Sequence, residues 1–459
     1  MSSMSRSARF TVGLLAAAAA CSVQAGNFVL QAPAWGAAQK AAVEAAGGSV
    51  KYSHASGLAV VSSGAPDFLA QVLRGGAVTS GAPDMALQQA PVRVVELSAQ
   101  EAESVAVSDN FYAIQWAPQA VGAPTAWAAG YKGKGVRVAV IDGGIYGDHP
   151  DLKANIDTAA ARSFVPGDAC QTAWNCDTGT FWHGTHVAGI IAAPLNGLGV
   201  VGIAPEATIV PVKGLHNGSG SFGSIISAIL YASSEGRADI INMSLGAVFN
   251  RGSRDASELT SALNRAINTA SRNGTLVLSA AGNEGLDMDH SQKLDPAVTD
   301  GLTGGNLIAV PAESGNGLAV SATGPFGFGY GATNFARFSS YSNYGNSLVS
   351  VAGPGGDFAW PTNENCTLTR TDGVALTRAC WVFDMVMSTT RGGWGWAAGT
   401  SMATPAVAAV AALIKQKYPG ASVAELKTRV QRATVDAGKP GNDPYYGKGF
   451  ISAAKAVAN

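Results

Sequence analysis

Residues Val136 to Asp142 read V-R-V-A-V-I-D and run directly into Gly143 and Gly144. A short apolar run that stops at a carboxylate and a glycine pair is the pattern of a buried strand ending in a tight turn. Working outward, Thr208 to Val212, Ile240 to Met243, Thr275 to Ala281 and Leu307 to Val310 are runs of the same kind. Between and after them, Ser224 to Glu235, Ser257 to Asn273 and Ser401 to Tyr418 have the length and apolar spacing of helices. Strands separated by helices predict an α/β fold, a mostly parallel central sheet with helices on both faces. In such a sheet the chemistry belongs at the carboxyl ends of the strands, where Asp142 stands.

Three further motifs carry chemistry. H-G-T-H-V-A-G runs from His183 to Gly189 and reads as the start of a buried helix. Two histidines on one turn raise a zinc reading, but H-E-x-x-H spaces its ligands four apart and supplies a glutamate, whereas here the spacing is three and Gly184 stands second. His183 is therefore expected as a general base and His186 as a packed core histidine. G-T-S-M-A-T-P, Gly399 to Pro405, opens an alanine-rich helix. Ser401 reads either as an ordinary N-cap or as a nucleophile placed where helix N–H groups favour negative charge, and both readings can hold. In S-A-A-G-N-E-G, Ser279 to Gly285, Asn283 is a turn residue or an amide donor to an oxyanion. Asp142 alone reads most simply as a turn-capping carboxylate, and otherwise as an acid that orients a histidine.

The ordered set I-D-G-G-I with H-P-D-L, H-G-T-H-V-A-G, S-L-G, A-A-G-N and G-T-S-M-A-T-P resembles the subtilisin family of serine proteases over roughly residues 111 to 457. The resemblance implies Ser401 as nucleophile, His183 as base and then acid, and Asp142 as orienting carboxylate, with Asn283 and the Ser401 N–H as oxyanion donors. It also implies that Ser244, Leu245 and Gly246 are an edge strand to which an extended peptide adds. A serine endopeptidase of broad specificity follows, a monomer that needs no cofactor for catalysis. Where the family carries Ser or Thr after the aspartate this chain has Gly143, so Asp142 loses a hydroxyl partner unless water or backbone replaces it; activity is expected to survive. Family members often bind calcium, and Asp151 with Asn196 in the loop Pro194 to Val200 matches one such structural site; a loop without metal is the alternative. A silent binding module that keeps the groove is the competing class, and labelling of Ser401 by a fluorophosphonate separates the two. A zinc hydrolase would instead be sensitive to chelators.

The chain has 459 residues, more than one core usually supports, so attachments to a large domain are expected. Only 13% is charged against about 25% in ordinary soluble proteins, while 47% is apolar, which excludes a disordered chain. Lys+Arg 30 against Asp+Glu 31 leaves a net charge of -1 and no reason to bind nucleic acid. Residues 1–25, with Arg6, Arg9, an apolar run and V-Q-A, read as a secretory signal peptide; the run is too short to span a bilayer, and a secreted, extracellular or periplasmic protein follows. Residues 26–107 form a small mixed α+β pattern, with a strand near Phe28 to Leu30, a helix from Ala37 to Ala46, strands from Ser49 to Val61, a helix after Pro66 and a closing strand from Val92 to Leu97. In place and size this matches a subtilisin-type propeptide, a folding aid and inhibitor removed by cleavage between about Leu97 and Asn110. Residues 108–459 then make the peptidase domain. Cys170, Cys176, Cys366 and Cys380 are an even set in an exported chain, with the local pairs Cys170–Cys176 and Cys366–Cys380 expected among three pairings.

Overall fold

In the computed structural model, which describes residues 26–89, 92–98, 111–165, 183–293 and 307–458, Arg137–Asp142 is an inner strand of a ten-stranded sheet. It pairs in parallel with Thr208–Lys213 on one side and Ile240–Met243 on the other. The parallel run continues through Leu276–Ala280, Leu318–Gly324, Val351–Pro354 and Phe450–Ile451. Successive side chains of a strand point to opposite faces. Val138 and Val140 accordingly join one core with His183–Ala192 and Thr400–Lys417, while Ala139 and Ile141 join another with Phe222–Ser233 and Arg254–Arg272. Burying a side chain such as Ile141 contributes about 1.5–3 kcal/mol, so both faces pin the register that carries Asp142. Among the described residues no helix is long and apolar enough to cross a membrane.

Two sequence expectations change here. Leu307–Val310 is a strand, but it pairs antiparallel with Ala247–Asn250 outside the main sheet. Four apolar residues identify a strand and do not choose its partner. The next strand of the main sheet after Leu276–Ala280 is Leu318–Gly324.

The N-terminal pattern folds as a four-stranded antiparallel sheet in the order Gly48–His54, Leu58–Ser63, Gly26–Gln31, Ser80–Pro83. Leu30, Ala59 and Val61 pack under its own helices Ala37–Ala45 and Phe68–Arg74 with Val43, Phe68 and Val72. The opposite face gives Val29, Leu58 and Ala82 to the core of Phe222–Ser233 and Arg254–Arg272, so the small sheet is bound to the large unit by apolar burial. Arg265 adds hydrogen bonds to the carbonyls of Ala32 and Pro33, at 2.7 and 3.1 Å, and of Ser56. Asp84 Oδ1 accepts the Gly223 N–H at 2.9 Å in the first turn of Phe222–Ser233, where the helix dipole favours a carboxylate.

The strand expected to close this small unit at Val92 to Leu97 does not do so. It forms at Arg93–Glu96 and pairs antiparallel with Gly393–Ala398 of the large unit. The preceding segment, Ala86–Gln88, pairs antiparallel with Ser219–Ser221. After Pro83 the chain therefore leaves its own sheet and adds to two edges of the large unit in succession. The Cys366–Cys380 disulfide is present, and residues 1–25, Cys170 and Cys176 and most of the polar stretch Ser98 to Asn110 lie outside the described residues.

Candidate active site

Asp142 is the last residue of its strand, and its carboxylate accepts the backbone N–H of Gly143 at 2.7 Å. That backbone donor takes one place that a hydroxyl would have filled. His183 begins the helix His183–Ala192, and its Nδ1 lies 2.9 and 3.0 Å from the two Asp142 oxygens. A carboxylate only accepts, so the imidazole donates from Nδ1 and its lone pair falls on Nε2. The approach requires Gly184, because a Cβ there would lie 2.2 Å from the Gly144 carbonyl and 3.1 Å from Asp142.

His186, three residues on, is fully buried and hydrogen-bonded from Nε2 to the Val386 carbonyl at 3.1 Å. Burial first, and the nearby His183, push its pKa down to about 3, which keeps it neutral. It is a packed histidine bonded to a backbone carbonyl.

Ser401 reaches the same place from the far end of the sequence. It is the second residue of Thr400–Lys417, after the N-cap Gly399, so its N-cap reading is corrected. Its Oγ donates to the Ser244 carbonyl at 3.0 Å. Asn283, just past Leu276–Ala280, accepts at Oδ1 from the Thr400 N–H and the Thr400 hydroxyl, both at 2.8 Å. With Oδ1 held, the amide's donor end is what remains for another acceptor, beside Gly399, where a Cβ would be 3.4 Å from Nδ2. Asp142, His183 and Ser401 are 1%, 8% and 3% exposed, so little water competes with their contacts.

Ser244, Leu245 and Gly246 follow Ile240–Met243 but are not themselves a strand, which corrects the edge-strand expectation. The last two line a groove instead. Leu245 and Gly246 face Leu87 and Gln88 together with Leu215 and Val310. The edges that do receive an extended segment are Ser219–Ser221 and Gly393–Ala398. Their sequences carried a signal, since H-N-G-S-G marks a hairpin turn and G-W-G-W-A-A immediately precedes the Ser401 motif.

Gln89 was not anticipated. Its Nε2 donates to the Ser244 carbonyl at 2.8 Å and lies 3.1 Å from His183 Nε2, so one amide of the N-terminal segment covers the imidazole lone pair. Val92 is past the site, its Cγ1 2.9 Å from where a Gly399 Cβ would stand.

The residues expected to bind calcium do not fit a cation. Asp151 is wholly buried, and its carboxylate already accepts from the Val200 N–H and Trp394 Nε1, each at 2.9 Å, and from Asn196 Nδ2 at 3.2 Å. Asn196 spends its oxygen on the Leu198 N–H at 2.8 Å. N–H donors stand where a cation would require oxygen, and no cluster of three or more His, Cys, Asp or Glu occurs among the described residues.

An α/β sheet that gathers an acid, a histidine and a serine in this chain order has the architecture of a serine hydrolase. The class narrows to one family: the subtilase family profile matches residues 133–449, and the chain belongs to that family, which makes it a serine endopeptidase. It is 33% identical to subtilisin DY of Bacillus licheniformis over 333 residues, 72% of this chain and 93% of that one. It is also 33% identical to the M-protease of Shouchella clausii over 381 residues, 80% and 79% of the two chains. Among solved structures it is similar to the epidermin leader peptide processing serine protease of Staphylococcus aureus, with TM-score 0.72 at 22% identity over 94% of this chain and 98% of that one. That likeness supports the fold.

Proposed function

We propose that the chain is an exported precursor of a serine endopeptidase in which Ser401, His183 and Asp142 form the catalytic triad and residues before about Asn110 are a self-removed inhibitor. The observation that carries the reading is the His183 Nδ1 contact with Asp142, which fixes the tautomer whose lone pair lies on Nε2, the atom that takes a proton once Gln89 has left it. Ser401 Oγ attacks the substrate carbonyl carbon and passes its proton to His183 Nε2. The resulting oxyanion is held by the Asn283 amide and the Ser401 N–H. Collapse expels the amine, protonated by His183, and leaves an acyl-enzyme that water resolves by the same proton path.

The N-terminal segment occupies this machinery, with Ala86–Gln88 added to one edge, Gln89 over His183 and Arg93–Glu96 added to the next edge. Pro91 falls between Gln89 and Val92, and its tertiary nitrogen and fixed φ disfavour a cut at that point, so the first cleavage is placed downstream, between about Leu97 and Asn110. The signal-like start and the Cys366–Cys380 disulfide support export. Two experiments test the reading. A fluorophosphonate should label Ser401 of the processed protein and not a Ser401→Ala variant; absence of labelling in folded, processed material would favour the binding module. Expressed in a host without other exported proteases, Ser401→Ala should accumulate as one chain starting near Gly26, whereas normal trimming would assign the cut to another enzyme.

A further inference from the structure

Arg93 begins the strand that runs beyond the site, opposite Ala398, three residues before Ser401. Its guanidinium carbon lies 4.2 Å from the ring centroid of Trp381 and 5.4 Å from that of Phe358. Both rings are fixed from behind. Trp381 belongs to the short helix Cys380–Phe383, whose first residue is disulfide-bonded to Cys366, and its indole N–H donates to Asn363 Oδ1 at 3.3 Å. Phe358 is stacked on Tyr341, centroids 5.5 Å apart with ring planes 10° from parallel, and the Tyr341 hydroxyl donates to the carbonyls of Gly355 and Gly356. A cation within about 6 Å of two held aromatic rings is attracted by their quadrupoles, and the planar guanidinium suits such a face best.

We propose that Trp381 and Phe358 form a cation-selective subsite on the leaving-group side of the scissile bond, occupied in the full chain by Arg93 and offered, once that strand departs, to an arginine or lysine of the substrate. The proposal rests on the protease reading, and it adds a specificity that broad backbone pairing alone does not provide. The strand Gly393–Ala398 aligns any extended peptide by main-chain hydrogen bonds, and the two rings then discriminate at one position.

Two experiments decide it. In the full chain carrying Ser401→Ala, Trp381→Ala and Arg93→Ala should each speed amide hydrogen exchange across Arg93–Glu96 by about two- to five-fold, with the double variant no faster than either. Trp381→Phe should restore most of the protection, which separates loss of an aromatic face from loss of folding; Phe358→Leu gives a second, milder probe. Exchange that ignores all of these substitutions overturns the subsite. With the processed enzyme, quenched-fluorescence peptides carrying arginine, citrulline or alanine at each of the first five leaving-side positions should show one position where arginine exceeds citrulline in kcat/KM by about two- to five-fold, and that ratio should fall to about one in Trp381→Ala. Equal rates for arginine and citrulline everywhere would overturn the subsite and leave the protease reading intact. Failure to cut any peptide would instead refute the protease reading, with the exchange experiment still deciding the subsite.

Discussion

Ser244 and Ser401 exchange hydrogen bonds: each hydroxyl donates to the other's backbone carbonyl, Ser244 Oγ to Ser401 at 2.7 Å and Ser401 Oγ to Ser244 at 3.0 Å. The first bond has a cause in the sequence. Pro405 lies four residues after Ser401 inside Thr400–Lys417 and has no N–H, so the Ser401 carbonyl lacks its helical donor. Ser244 supplies one from the neighbouring strand end.

Ser244→Ala should therefore cost about 1–3 kcal/mol, the penalty for an orphaned buried carbonyl. Because it frees the turn that carries Ser401, turnover should also fall, by up to about 100-fold if the nucleophile shifts by an ångström. Urea unfolding and kcat on one peptide measure the two effects separately.

Gln89→Ala removes the amide that covers His183 Nε2 and bridges to Ser244. The unprocessed chain should then react with a fluorophosphonate faster than its parent, by about ten-fold for a bond to a group in a buried site worth about 1.5 kcal/mol. Equal labelling rates would show that the strand pairings on either side block the site without Gln89.

Asn283→Ala should lower kcat by about 100- to 1,000-fold with little change in KM; this figure is taken over from the asparagine donor of subtilisin, a relative. Thr400→Val, which keeps the backbone donor to Asn283 and removes the hydroxyl, should act in the same direction and more weakly. Steady-state kinetics on the processed enzyme test both.

Stability should fall as pH drops below about 6.5. Burial depresses His149 to about 4 and His186 to about 3, so between those values and 6.5 the unfolded chain binds protons that the folded chain refuses. Asp384 acts oppositely. Burial raises its pKa to about 6, so the folded state takes up a proton first and recovers part of the loss below that pH. Denaturant midpoints between pH 4 and 8 should decline on the acid side, and His149→Gln should flatten the slope; a flat wild-type profile would contradict the assignment.

A chelator should leave the unfolding temperature unchanged, since Asp151 is satisfied by Val200, Trp394 and Asn196 rather than by a cation. Trp394→Phe should instead lower it, because the variant removes one of the two donors to the buried Asp151 Oδ2, leaving the Val200 N–H, and loosens the tie between H-P-D-L and the strand that leads to Ser401. A drop on chelation would restore the calcium expectation at this loop.

The sequence by itself determined the parallel α/β core, the order of the motifs that approach one another, and the family. Those are local properties: Val136 to Ile141 is apolar over a strand's length, and G-T-S-M-A-T-P opens a helix wherever it is placed. The small mixed unit after Ala25 was legible for the same reason. Tertiary structure alone decided which edges pair, because a four-residue apolar run such as Leu307 to Val310 has no intrinsic partner and Arg93–Glu96 pairs with a distant strand and not with the small sheet before it. It also decided what each polar group does. Asp151 and Asn196 have the chemistry of calcium ligands in sequence, and only the arrival of Trp394 Nε1 and the Val200 N–H, 243 and 49 residues away, turns them into hydrogen-bond acceptors and donors that exclude it. Long-range donors carry no periodicity, and a sequence cannot show which of them will arrive.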